Sequence, residues 1–328
     1  MSTLFTFPGQ GAQRAGMLQA LPDCPTVRDT LDHAAATLDT VRADASHPAQ
    51  RHVQTLGSLS ELDSAASLEG TVATQLCLLI AGVASARAVI EAGSAPDAVA
   101  GLSIGAYAAA VIAGVLDLES AIGLVALRGG LMAEAYPTGY GMTAILGMTQ
   151  SALEPLVAQV HTPDSPVYLA NINAPLQLVV AGEHGARHRL GAMALAQGAR
   201  AIREIAIAVP SHCALLDAPA ETLRAVMTNT PLHAPHLRYY STSAARALRD
   251  PAVIGTDLAL NMASMVRWHE TSVLAWEVGA RLFVEMSPGK VLTRLCAEAL
   301  PEARAVAVED TRLDTIAALM ARERARID

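Results

Sequence analysis

The run Pro96-Asp97-Ala98-Val99-Ala100-Gly101-Leu102-Ser103-Ile104-Gly105-Ala106-Tyr107-Ala108-Ala109-Ala110-Val111 reads as a strand, a Gly-x-Ser-x-Gly turn and a helix of small residues. That order is a nucleophile elbow, in which a serine occupies a turn so sharp that its flanking positions must be glycine. Side chains at those positions would collide with the following helix and the preceding strand. The turn lifts the Ser103 hydroxyl above a sheet and beside a helix N-terminus, whose free N–H groups can receive a developing oxyanion. The pentapeptide alone recurs in glycine-rich loops; the strand before it and the helix after it give it weight.

The rest of the chain suits an α/β protein. Its 328 residues, 52% of them apolar, suffice for one large domain or two smaller ones with a sizeable core. The longest apolar stretch, Val72 to Ile90, is interrupted by Thr74, Gln75, Ser85 and Arg87, which fits a buried core helix better than a membrane span. The chain passes from Met1 directly into the strand-like Leu4-Phe5-Thr6-Phe7, with no basic segment leading an apolar one, so neither export nor membrane association is expected. Cys24, Cys77, Cys213 and Cys296 lie far apart, which argues against a paired-cysteine metal site and a disulfide framework and points to reduced thiols in the cytoplasm. A net charge of −8 with 3% aromatic residues leaves no general basic surface or stacking platform for nucleic acid. An acidic partner would have to dock on a local arginine patch.

After the first strand comes Pro8-Gly9-Gln10-Gly11-Ala12-Gln13, whose glycines let backbone N–H groups face a cavity. A dinucleotide fingerprint would need a third glycine where Arg14 stands, so that alternative fails. Helical stretches at Thr26 to Leu38 and Leu68 to Ala92 precede the elbow, giving the alternation a parallel sheet requires. From Met142 the pattern becomes strand, helix (Gln150 to Val160), two strands across Ala174-Pro175, helix (Arg187 to Gln197) and an extended segment to Val209. This order is that of a ferredoxin-like unit. The expected fold is α/β: an α/β-hydrolase-like core with a parallel sheet, residues 1–140 and 209–328, interrupted by a ferredoxin-like small domain, residues 141–208. The cleft between the two is the expected site, and residues 321–328 look like a frayed charged helix end.

A serine nucleophile needs a base, and His212 in Val209-Pro210-Ser211-His212-Cys213 is the best of ten histidines, with small apolar neighbours after an extended segment. The bland alternative is a histidine hydrogen-bonded in a loop. An imidazole also needs an orienting group, a carboxylate or a carbonyl, and spacing alone chooses neither. Arg128 follows an apolar run on the second helix after the elbow. It is either a helix-end arginine meeting the dipole or a planar fork for a substrate carboxylate in a dry cleft. The chain lacks any Asp-Gly pair, which counts against the Ser-Asp dyad of patatin-like lipases.

Four blocks coincide with one family: Phe7-Pro8-Gly9-Gln10-Gly11-Ala12-Gln13, the elbow at Ser103, Val209-Pro210-Ser211-His212, and Glu285-Met286-Ser287-Pro288-Gly289-Lys290-Val291-Leu292. In their order and spacing the chain resembles malonyl-CoA:acyl carrier protein transacylases over nearly its whole length. The resemblance implies Ser103 as nucleophile, His212 as base, Arg128 as clamp for the malonyl carboxylate and the backbone N–H groups of Gln10 and Ile104 as oxyanion hole. It also implies that a carbonyl orients the histidine, with Asn261 at the position that supplies it. It implies malonyl-CoA as substrate, no bound cofactor or metal, and an acyl carrier protein or acyl carrier subunit as partner. The elbow departs from the family's common Gly-His-Ser-x-Gly, because Leu102 stands where the histidine does. With Tyr239-Tyr240-Ser241-Thr242-Ser243-Ala244-Ala245-Arg246 and Val266-Arg267-Trp268-His269, that departure looks most like the epsilon subunit of bacterial malonate decarboxylase. The alternatives are a transacylase of fatty-acid or polyketide synthesis and, from another class, a serine hydrolase or thioesterase.

Overall fold

The structure, a computed structural model, describes residues 2–136 and 138–326. In chain order the main elements are β1 (Thr3–Phe7), α1 (Pro25–Ala43), α2 (Thr71–Ala92), β2 (Ala98–Gly101), α3 (Gly105–Ile112) and α4 (Leu118–Ala135). There follow β3 (Tyr140–Leu146), α5 (Gln150–Val160), β4 (Val167–Ala174), β5 (Gln177–Glu183), α6 (His184–Ala196) and β6 (Ala201–Ile205). The chain then continues through α7 (Asp217–Met227), β7 (Arg238–Ser241), β8 (Arg246–Leu248), α8 (Pro251–Leu260), α9 (Trp268–Glu277), β9 (Leu282–Glu285), α10 (Val291–Ala299), β10 (Arg304–Ala307) and α11 (Leu313–Arg324).

These strands form two sheets. The larger has the order β10-β9-β1-β2-β7-β8 and the smaller β4-β5-β3-β6. Every neighbouring pair in the larger sheet is parallel except β7 with β8. The exception departs from the parallel sheet expected: only a short turn joins Ser241 to Arg246, and so short a connection can only fold the chain back antiparallel. The smaller sheet is antiparallel throughout, with α5 and α6 packed together over it.

β1 is buried along its whole length between β2 and β9, as a central parallel strand must be. α2 is apolar enough to pass for a membrane span, with a mean hydropathy of 1.7 over its most apolar window, but 89% of that window is inside the protein. It packs against α1, α3 and α4 and is the central helix of the main core. At the far end the chain departs from the frayed terminus expected. α11 holds its helix to Arg324 because Glu323 is buried and paired with Arg326, and Arg324 donates to the Ala95 carbonyl. Residues 327–328 lie outside the described residues.

The end of β1 and the elbow after β2 touch directly. Leu102 N–H donates to the Phe7 carbonyl at 2.9 Å, extending the β1–β2 pairing into the turn. A Cβ on Gly101 would land on the backbone of Gly105 and Ala106, and one on Gly105 would land on the Phe7 and Pro8 carbonyls. Neither obstacle is the end of a flexible side chain. Gly105→Ala should therefore cost at least ~3 kcal/mol of stability, the upper range of overpacking. A urea-denaturation midpoint unchanged from the wild type would show that the elbow is looser than this.

Candidate active site

Ser103 occupies the turn between β2 and α3 with φ +54°, a left-handed conformation that costs energy for any residue with a side chain. The cost is borne by the pairing on one side and the helix on the other. The result is a hydroxyl presented to His212, whose Nε2 lies 2.8 Å from Ser103 Oγ.

His212 also has a positive φ, +65°, in the segment between β6 and α7. Its backbone N–H donates to the Met262 carbonyl at 2.6 Å, and its Nδ1 lies 2.8 Å from the Asn261 carbonyl and 3.1 Å from that of Ser264. Carbonyls only accept, so Nδ1 carries the proton and Nε2 offers its lone pair to the serine hydroxyl. The turn after α8 that supplies these carbonyls is pinned to the small sheet: Ile172 N–H donates to the Val266 carbonyl and Val266 N–H to that of Ala170. Burial and the nearby Arg128 charge pull the His212 pKa down to about 4, against the opposing effect of the two carbonyls. At neutral pH the ring is an uncharged base.

Arg128 is fully buried on α4. The helix continues to Ala135, which rules out the helix-end alternative for this side chain. Nη1 donates to Gln75 Oε1 at 2.6 Å, while Nη2 reaches Ser103 Oγ at 3.3 Å and Asn261 Oδ1 at 3.4 Å. The guanidinium also stands over the Tyr107 ring, 5.9 Å from its centre. All of these partners are neutral, and among the described residues Nε has none. Burial lowers the Arg128 pKa to about 10, which leaves it a cation at neutral pH.

The loop of residues 8–13 lies against the elbow and lines, with Leu102, Ser103 and His212, a cavity of about 490 Å³. Met142, Asn171 and Val179 of the small sheet form its opposite wall. Among the described residues no hydrogen bond engages the backbone N–H of Gln10 or Ile104. Leu102, partly buried, lines the same cavity and packs on Gly9. No group of three His, Cys, Asp or Glu side chains among the described residues is placed to hold a metal ion.

The structure thus gathers Ser103, His212, Arg128 and Asn261 around one point. Two participants lay outside the sequence expectations. Gln75, which fixes one arm of the Arg128 fork, left a trace as a polar residue inside an apolar helix. The Ser264 carbonyl left none, since a backbone atom carries no side-chain signature.

Residues 4–326 match the acyl transferase domain family. A malonyl CoA-acyl carrier protein transacylase of Haemophilus influenzae is 35% identical over 308 residues, 93% of this chain and 94% of that protein. The solved transacylase of Coxiella burnetii superposes with a TM-score of 0.88 at 30% identity, covering 98% of both chains. A malonyl-transacylase solved in complex with a type II PKS acyl-carrier protein superposes with a TM-score of 0.85 at 33% identity, covering 97% of this chain and 99% of that one. Matched along nearly all of its length and sharing the arrangement of these structures, the chain belongs to the acyl transferase domain family.

Proposed function

We propose that this chain is a malonyl transferase that carries malonyl from malonyl-CoA, through an ester on Ser103, to the thiol of an acyl carrier protein. It would do so on an α/β-hydrolase-like core with a ferredoxin-like small domain facing the elbow. The observation that carries this proposal is the buried Arg128 guanidinium, with only neutral partners, within reach of Ser103 Oγ.

In the first half-reaction His212 Nε2 takes the Ser103 proton as Oγ attacks the thioester carbonyl. The Gln10 and Ile104 N–H groups hold the tetrahedral oxyanion, and the Asn261 and Ser264 carbonyls steady the imidazolium through its Nδ1–H. Collapse breaks the C–S bond, and His212 returns the proton to the departing CoA sulfur. In the second half the carrier thiol enters, gives its proton to His212 and attacks the ester, and Ser103 leaves reprotonated. No cofactor or metal is called on. Arg128 supplies selectivity, because its two-pronged donor pairs with the malonyl carboxylate while an acetyl group would leave the buried cation without an anion.

A thioesterase would share the serine and the histidine, but the arginine clamp and the relatives' names favour transfer to a carrier protein over transfer to water. Those names favour an ordinary carrier of fatty-acid or polyketide synthesis as acceptor. A second acceptor, the acyl carrier subunit of a malonate decarboxylase, is favoured by Leu102, which puts an apolar side chain in the cavity beside the nucleophile. The four unpaired cysteines suit a reducing, cytoplasmic location for either.

Intact-mass analysis after mixing with malonyl-CoA should show one added malonyl group on the wild type and none on Ser103→Ala. Rapid loss of that group to water without a carrier would identify a hydrolase. Each carrier type is then added to the acylated enzyme, and the one that discharges it fastest identifies the acceptor.

Arg128→Ala should lower kcat/KM for malonyl-CoA about a hundredfold, ~3 kcal/mol for one partner of a buried charge pair, and spare acetyl-CoA. An unchanged malonyl preference would remove the clamp from the mechanism.

With His212 neutral above its depressed pKa, kcat/KM for acylation should stay level through neutrality and fall only near pH 4. Arg128→Ala removes a positive charge that disfavours the imidazolium, so the acid limb of acetyl transfer should move upward, toward the ordinary histidine value of 6.5. A limb that stays put in the variant would mean that the two charges do not communicate.

A further inference from the structure

One row of side chains crosses the small sheet on the face that lines the cavity. In the strand order β4-β5-β3-β6, Asn171 pairs with Val179, Val179 with Ala144 and Ala144 with Arg203, and all four line the cavity shared with Ser103 and His212. Side chains along a strand alternate between faces, so this row is a single band with a polar group at each end and two apolar side chains between. Three strand spacings, about 14 Å, separate its ends.

Asn171 stands at the end tied to the histidine. The backbone on either side of it is bonded to Val266, in the segment whose Asn261 and Ser264 carbonyls hold His212. Its side chain is buried, and Nδ2 donates to Asn173 Oδ1 at 3.4 Å. Among the described residues Oδ1 has no partner. A buried amide oxygen without a donor is costly, and the donor it lacks comes from what occupies the cavity.

Arg203 stands at the other end, exposed on the edge strand. Its neighbour Glu204 is engaged elsewhere: Thr143 Oγ1 donates to Glu204 Oε1 at 2.7 Å, and the buried Arg187 holds Oε2. Among the described residues no hydrogen bond or ion pair engages the Arg203 guanidinium. A charge on an edge strand ordinarily guards that edge against pairing with another chain. This one also lines the cavity, in the same row as an unpaired acceptor.

The ends of the row match the ends of a pantetheine arm. Beside its thiol the arm carries an amide N–H, and at its far end a phosphate. The backbone between them equals a little more than three extended residues, roughly 12 Å, and the Arg203 side chain spans the remainder. CoA and the prosthetic group of a carrier protein share this arm. We infer that the row seats it for donor and acceptor alike, with Asn171 Oδ1 accepting the amide N–H beside the thiol and Arg203 pairing with the phosphate. The inference rests on the reading of the chain as a malonyl transferase that uses such thiols.

The test compares the wild type, Arg203→Gln and Asn171→Leu in acyl-enzyme formation from malonyl-CoA and from malonyl-pantetheine, which lacks the phosphate. Arg203→Gln should raise KM about fivefold for malonyl-CoA and leave it unchanged for malonyl-pantetheine, with kcat held for both. Asn171→Leu keeps the volume and removes the acceptor, so it should raise KM about fivefold for both donors. Arg203→Gln lies at the surface and carries the test alone if Asn171→Leu does not fold. Discharge of the malonyl-enzyme by free phosphopantetheine and by pantetheine should show the same dependence on the phosphate. An Arg203 effect confined to malonyl-CoA would place that residue on the nucleotide and overturn the shared seat. A merely structural role would move kcat or the urea midpoint without regard to the phosphate, and would overturn the proposal while the wild type still formed its malonyl ester. A wild type that formed no malonyl ester would instead overturn the transfer reading, and this proposal with it.

Discussion

Everything around Ser103 is arranged to keep a positive charge dry. A guanidinium removed from water without a carboxylate costs several kcal/mol even after relaxation, and Arg128 is buried with only amide, hydroxyl and ring partners. The protein recovers part of that cost through the dipoles of Gln75 and Asn261 and the face of Tyr107, and none of these neutralises the charge. A site made this way holds an unmet demand for an anion at one distance from one nucleophile. The same charge acts on His212, disfavouring its protonated form, so in the proposed mechanism the clamp would also help to keep the base deprotonated. In the proposed mechanism, selectivity and the protonation state of the histidine thus draw on a single electrostatic source.

That source explains why carbonyls stand where many serine enzymes place an acid behind the histidine. A carboxylate at the Nδ1 side, where the Asn261 backbone stands, would share a low-dielectric interior with a buried cation, and the two would attract. The clamp would be satisfied before any substrate arrived. The Asn261 and Ser264 carbonyls orient the ring and still stabilise an imidazolium through their dipoles, while leaving Arg128 charged. Asn261 divides the work between its parts, with the backbone oxygen on the histidine and the side-chain oxygen on the arginine.

The sequence made legible what is local. The glycines around Ser103 announce a turn because only a bare Cα fits against the backbone of Phe7 and Ala106, and the strand-helix alternation after Met142 announces a second sheet because its periods change within a few residues. His212 and Arg128 were legible as candidates only, each with an ordinary alternative, until the resemblance joined them. Gln75 and Asn261 meet Arg128 across 53 and 133 residues of chain, and no periodicity records such a meeting. The antiparallel strand at the sheet edge and the ordered end of α11 escaped for a related reason. Both depend on contacts, a hairpin closure and a buried Glu323, that composition alone does not distinguish from a loop and a charged tail.

The cavity wall opposite the elbow bears on the acceptor. CoA and a carrier-protein arm present the same kind of thiol to Ser103, so the chemistry at the serine cannot tell them apart, and discrimination must come from surfaces further out. Within the cavity, Leu102 packs on Gly9 and sets an apolar side chain among lining residues that include Asn171, Gln177, Arg203 and Glu204. An apolar residue there contributes no hydrogen bond to an acyl group in flight, so the proposed chemistry rests on Ser103, His212, Arg128 and the backbone donors. Those are the parts that every acceptor would find unchanged. Leu102 therefore bears on how an acyl chain is seated, while any carrier must also meet the protein surface surrounding the mouth of the cavity.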